Sequence, residues 1–163
     1  MIKLFHGEEK ANPMYKILLI FFIVFLPINL ISQETAKEKK IAKYIMENIQ
    51  KDYLDCYSFY KVAAVSFKKA GKEKNLIESL EKSADVSLKY NYDLGEIMGL
   101  NPEVMAEMTK DKVNKFVELA NKDFSSLAQK YGLVCKNLVE NPKERTNYWE
   151  KKGSKLIKWK RKK

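Results

Sequence analysis

From Glu38 to Phe67 the apolar residues fall at Ile41, Ile45, Ile49, Tyr53, Cys56, Tyr60, Ala63 and Phe67. Steps of three and four put them on one face of a 3.6-residue helix. Gly71 marks the end of this segment, because glycine readily takes the left-handed conformation past a last helical turn. A second stripe follows at Leu76, Leu80, Ala84, Leu88, Leu94 and Met98, with Gly95 and Gly99 weakening its end. Asn101-Pro102-Glu103 reads as a new start, with Asn101 as cap and Pro102 in the first turn, where its missing N–H costs nothing. The third stripe runs Met105, Met108, Val113, Phe116, Ala120, Phe124, Leu127 and Tyr131, and Gly132 closes it. Leu133 to Val139 is short and apolar, and Asn141-Pro142-Lys143-Glu144 repeats the cap-proline start in a capping-box arrangement. No run alternates as a strand does. The pattern predicts an all-α fold, a small antiparallel bundle of three to five helices after an N-terminal signal segment.

The signal is the run ILLIFFIVFLPINLI, Ile17 to Ile31, behind Lys16 and ahead of Ser32-Gln33. A secretory signal has a basic start, an apolar stretch of roughly 7–15 residues and a small residue at the cut. Met14-Tyr15-Lys16, Ile17 to Leu26, the helix breaker Pro27 and then Ser32 meet that description, with Met14 as an alternative start. A spanning helix needs about 20 apolar residues, and this run is shorter and holds Pro27 and Asn29. The alternative is an uncleaved anchor formed by residues 17–31. Taking 1–32 as signal leaves 131 residues, one domain by size: a bundle over 33–150 and a tail over 151–163.

Cys56 and Cys135 are the only cysteines. Both lie in the exported part, and an even count in an oxidising compartment predicts a disulfide. A plain up-down-up bundle opposes it. Cys56 lies well below the top of the first helix while Cys135 follows the top of the third, a gap that approaches ~20 Å at 1.5 Å per residue. The bridge therefore requires the chain after Gly132 to turn back along the first helix, or the third helix to begin later, near Thr109.

Candidate chemistry is sparse. The only histidine, His6, precedes the signal, so the exported chain cannot build a Ser-His-Asp site or a histidine zinc site. No CxxC and no glycine-rich phosphate loop occurs, and no cofactor is expected. Asp52 and Asp55, three apart beside Tyr53, Tyr57 and Tyr60, are the one carboxylate pair with the character of a glycosidase. Spaced acids are common on solvated helix faces, and tyrosines at this spacing usually fill a core. Met98, Met105 and Met108 read as packing where the second and third helices meet.

Charge is unevenly placed. The chain is +10. Residues 1–32 hold three lysines and two glutamates, so the exported part carries +9. Eight basic residues and no acid lie in 151–163, which leaves +1 for the body. The tail sets Lys151, Lys152, Lys155, Lys158, Lys160, Arg161, Lys162 and Lys163 beside Trp149 and Trp159, a pattern suited to an anionic bilayer surface. Gly153 predicts a break, and therefore a tail that folds on contact rather than a stable free helix. Because every apolar stripe lies upstream, the tail reads as dispensable for folding. A solvated terminus is the plainer reading, and only Arg145 and Arg161 among the 31 basic residues are arginine.

These features predict an exported, non-enzymatic, periplasmic or secreted protein that binds or supports structure at the cell envelope. The expected partners are an anionic membrane or envelope polymer, or another envelope protein; export argues against nucleic acid. The alternatives are a small secreted glycan hydrolase and a secreted effector or inhibitor that binds protein.

Overall fold

The computed structural model describes residues 28–160, with side chains from Ala36 to Leu156. Four helices make up the described residues: α1 (Ile28–Lys69), α2 (Lys74–Ile97), α3 (Pro102–Glu140) and α4 (Pro142–Lys160). Among the described residues, the bundle begins at Lys37. Apart from its last four residues, the apolar run Ile17–Ile31 lies outside the described residues. Among those described, no helix is long and apolar enough to cross a membrane.

The predicted stripe of α1 is realised. Ile49, Tyr53, Cys56, Tyr60 and Ala63 are buried in the core. Burial extends further round the helix than the stripe implied, taking in Leu54, Ser58, Phe59, Val62 and Ala64. Between Ile49 and Ala64 only Lys51 and Lys61 are exposed. A helix covered on nearly every side is the centre of a bundle, with its neighbours packed around it.

Two glycines end helices as the sequence suggested. Gly71 has φ +66° and Gly99 φ +73°. At each, the residue after the glycine donates its N–H to the carbonyl five residues back (Lys72 to Phe67 at 3.0 Å, Leu100 to Gly95 at 2.9 Å), while the glycine donates three back. This pair of bonds satisfies the last carbonyls and needs a residue without a Cβ penalty at positive φ.

The buried line of α2 is Ala84, Ser87, Asn91 and Gly95, only one of which belongs to the predicted stripe. Leu76, assigned to that stripe, is exposed. Small residues at steps of three and four let α2 approach α1 closely, and Asn91 donates its amide to the Gln50 carbonyl at 2.9 Å. A Cβ at Gly95 would overlap the sulfur of Met105. The glycine read as a weak helix end is therefore the seat into which α3 plugs its first buried side chain.

α3 corrects the reading of Gly132 as a terminator, for the helix runs through Gly132 to Glu140. The reversal occurs at Asp123, whose backbone leaves the helical region (φ −161°, ψ 93°). Its carboxylate accepts the backbone N–H of Ser126 at 3.0 Å and the Ser126 hydroxyl, as an N-cap residue does. These bonds hold the Asp123 carboxyl below its ordinary range. The limbs, 102–122 and 124–140, fold against each other, so that the rings of Phe116 and Tyr131 meet at 4.8 Å. Fifteen residues along a straight helix would separate them by about 22 Å.

The path is then clear. α1 rises and α2 descends, its Tyr90 stacked on Tyr53 at 5.1 Å. The first limb of α3 rises again, with Lys112 2.7 Å from Asp55. At the top Phe124 meets Phe67 edge-on at 5.8 Å. The second limb descends along α1, placing Cys135 beside Cys56 in a disulfide with a Cα–Cα distance of 5.2 Å. The geometric objection to this bridge disappears because the chain turns back along α1, nine residues earlier than Gly132 would have required.

α4 continues that descent. Arg145 reaches Asp52, and buried Gly153 meets Tyr44 and Ile41. Gly153 thus does not break the helix, which passes through 150/151 as far as Lys160; its missing side chain is what lets α4 lie against α1. A Cβ there would sit 3.0 Å from the Tyr44 ring. Residues 151–156 are therefore part of the bundle, and their removal should uncover Ile41 and Tyr44, contrary to the expectation of a dispensable tail. Asn141 also departs from its predicted role. The contact at this break runs through the backbone, from the Glu144 N–H to the Asn141 carbonyl at 3.2 Å.

Tyr53 carries a pH consequence. Burial first, and Tyr90 beside it second, push its phenol from 10.0 up to about 12. The folded protein holds this proton to higher pH than the unfolded chain does. The stability it contributes is complete below pH 10 and is lost as pH climbs from 10 through about 12. Tyr60 shifts the same way, chiefly through burial. Urea midpoints measured from pH 9 to 11.5 should fall more steeply for the wild type than for Tyr53→Phe. Equal slopes would mean that the Tyr53 hydroxyl is solvated.

Candidate functional site

The two carboxylates singled out in the sequence occupy the side of α1 that faces α3 and α4. Asp52 receives a two-point contact from Arg145, Nε to Oδ2 at 2.7 Å and Nη2 to Oδ1 at 3.0 Å. The indole N–H of Trp149, one turn further along α4, donates to the same Oδ2. A planar guanidinium matches a carboxylate edge to edge, which fixes orientation as well as charge. Asp52 in turn holds the Arg145 proton more firmly than usual. Asp55 sits beside Lys112, but the approach is off the hydrogen-bonding direction, and its buried Oδ1 has no hydrogen-bond partner.

Each carboxylate is thus matched by one cation from a different helix. The arrangement cross-links three elements: α1 to the first limb of α3 through Asp55, and α1 to α4 through Asp52. It does not present an acid and a base to a shared substrate space. Glycoside hydrolysis needs two carboxyls flanking the scissile bond, one of them free to give up a proton to the leaving oxygen. Asp52, gripped by three donors, has the surroundings of a structural ion-pair partner.

The tyrosines follow the same logic. Tyr53 and Tyr60 are buried and Tyr57 packs half-buried against the core. Among the methionines, Met105 is buried at the α2–α3 contact while Met108 is exposed. Among the described residues, no group of three or more His, Cys, Asp or Glu side chains could hold a metal ion.

The basic end is the remaining candidate surface. Lys151, Lys152 and Lys155 are exposed on α4. Lys152 Nζ stands 4.6 Å from the centre of the Tyr148 ring and 5.1 Å from that of Trp149. Arg145 lies at 4.6 and 5.0 Å from the same two rings. Trp149 packs edge-on to Tyr44 at 6.0 Å. It is half-buried and hydrogen-bonded, so the indole assigned to a surface contact is held by the bundle. Lys158, Trp159 and Lys160 belong to α4, but their side chains lie outside the described residues, as do Arg161, Lys162 and Lys163 altogether.

No family model, curated protein or solved structure matches this chain. The reading of its function therefore rests on its own residues. The Asp52–Arg145–Trp149 network spans 93 and 97 residues of sequence, and no local pattern announces it. The one available clue was that Arg145 is one of only two arginines in a lysine-rich chain, standing four residues before a tryptophan.

Proposed function

We propose that this is an exported, non-enzymatic protein that binds at the cell envelope and contacts an anionic surface through the basic end of α4. Export is supported by the apolar run Ile17–Ile31 between Lys16 and Ser32, and it agrees with the oxidised pair Cys56–Cys135, since such bridges persist in oxidising compartments. The observation that carries the surface contact is the run of eight basic residues and no acid over 151–163. Those whose side chains are described, Lys151, Lys152 and Lys155, point to solvent. Exposed Leu156 and Tyr148 add apolar contact that salt does not screen. A bilayer rich in anionic lipid is the partner favoured here.

The test must leave the helix in place, because Gly153 packs on α1. Lys151, Lys155, Lys158 and Lys160 are replaced together by Gln, and binding to vesicles of anionic or neutral lipid is measured by co-sedimentation. Each lysine near such a surface contributes about 1 kcal/mol. The fourfold variant should therefore bind anionic vesicles about a hundredfold or more weakly than the wild type, and wild-type binding should fall as salt rises. Equal binding to neutral vesicles, or no loss in the variant, would leave the lysines as solvated charge.

A further inference from the structure

From Glu103 to Tyr131 the sequence contains neither glycine nor proline, yet the chain reverses inside this stretch at a single residue, Asp123. The reversal is held by the Asp123 carboxylate, which caps the second limb through the Ser126 backbone N–H and hydroxyl. Turning Asp123 into the helical region makes 102–140 one straight helix of about 58 Å. It also pairs the last carbonyls of the first limb with the first N–H groups of the second, which a break leaves without intrahelical partners. The apolar stripe permits this. Phe116, Ala120, Phe124, Leu127 and Tyr131 run at steps of four, four, three and four across the reversal. The side chains that meet inside the hairpin therefore share one face of the straight helix.

We infer that Asp123 is the hinge of a domain swap whose partner is a second copy of this chain. In the swapped dimer each copy's segment 124–160 leaves its own α1 and packs on that of the other. Phe124 on Phe67, Tyr131 on Phe116, Cys135 on Cys56 and Arg145 on Asp52 are then remade between copies, because the exchanged segments are identical. The cap at Asp123 gives way to continuous helix. Cys56 lies before the hinge and Cys135 after it. A bridge closed within one chain ties the segment to its own α1, and a bridge closed between chains fixes the dimer, so the choice is made before oxidation. The straight helix continues past the end of the bundle where Phe67 and Phe124 meet, and the two copies therefore join end to end. The turn between α1 and α2 at that end carries exposed Lys68, Lys69, Lys72 and Lys74 beside Glu73 and Glu78. Repulsion between the two turns opposes the dimer at low salt and is screened as salt rises.

Oxidative refolding of a mixture of isotope-labelled and unlabelled chain tests it. Equal amounts, reduced and denatured, are refolded into a glutathione redox buffer at micromolar and at near-millimolar concentration. Size exclusion and non-reducing gels should show a covalent dimer that increases with concentration and with salt. Its Cys56–Cys135 peptide pairs should include pairs carrying one label of each kind, and isolated monomer and dimer should not interconvert without reductant. Ser125→Pro is accepted in the first turn of the second limb but not inside a continuous helix, and should lower the dimer-to-monomer ratio at least about tenfold. Asp123→Ala removes the cap and favours helix, and should raise the ratio at least about tenfold. Asp123→Asn, which still caps, should match the wild type. Refolding to monomer alone at the higher concentration overturns the inference. So does a dimer whose Cys56–Cys135 pairs each carry a single label, one cross-linked Cys56 to Cys56, or one whose yield Ser125→Pro leaves unchanged. Should a variant not fold, the wild-type labelling result decides by itself.

Discussion

Replacing Cys56 and Cys135 together by alanine should lower the melting temperature by about 10–20 °C. The bridge closes a loop of 79 residues. The chain-entropy model assigns such a loop about 4.5 kcal/mol, and loss of a native bridge in a small domain commonly costs 2–5 kcal/mol. For a chain of this size each kcal/mol moves the midpoint by about 3–5 °C. Cys56 and Cys135 are bonded to each other, so alkylating reagent should label neither, in native protein or in protein denatured without reductant. Two thiols freely labelled in native protein would remove the bridge and with it this part of the stability. The bridge also joins α1 to the second limb of α3, so its loss should loosen the helical hairpin more than the α1–α2 pair. Hydrogen exchange would show that as selectively faster exchange in residues 124–140.

Phe116→Ala should cost about 3–5 kcal/mol, the range for truncating a large buried aromatic side chain. Phe116 is 2% exposed and touches Tyr131 across the hairpin, so its removal opens a void between the limbs of α3 as well as against α1. The neighbouring Val117→Ala is the internal control. Val117 is 42% exposed, and surface changes of this kind stay within about 0.5 kcal/mol. Chemical denaturation of the two variants decides the matter. Comparable losses for both would place the buried face of the first limb wrongly.

What was legible in the sequence was what large apolar side chains report. Ile49, Tyr53, Cys56, Tyr60 and Ala63 fall at helical spacing and are buried together. The cysteine pair was legible from number alone. The small-residue face of α2 was not, because Ala84, Ser87, Asn91 and Gly95 carry little hydrophobic weight and declare themselves only by letting another helix come near. Glycine misled in both directions. Gly71 and Gly99 end helices through positive φ. Gly95, Gly132 and Gly153 lie inside helices, and two of these make room for a neighbour's side chain. The reversal at Asp123 was missed because neither glycine nor proline marks it. Its only local trace is an aspartate three residues before a serine, which resembles any solvated stretch of helix. Asp52, Arg145 and Trp149 are far apart in sequence, and charge pairing at that distance follows from the fold rather than from spacing.

The disulfide has a mechanical consequence. The second limb of α3 and then α4 run down beside α1, so residues near 41 and 153 lie together. Tension applied between the ends of the bundle therefore peels α4 from α1 turn by turn, rather than shearing whole helices past one another. Gly153 leaves Ile41 and Tyr44 first, then Trp149 and Arg145 leave Asp52. Peeling stops at Cys56–Cys135, because force passes through the covalent bridge and the loop between the cysteines bears none of it. In the oxidised protein only about 19 residues before Cys56 and 25 after Cys135, counted over 37–160, can be drawn out. α2 and the hairpin at Asp123 remain slack and folded at loads that have already stripped α4 away.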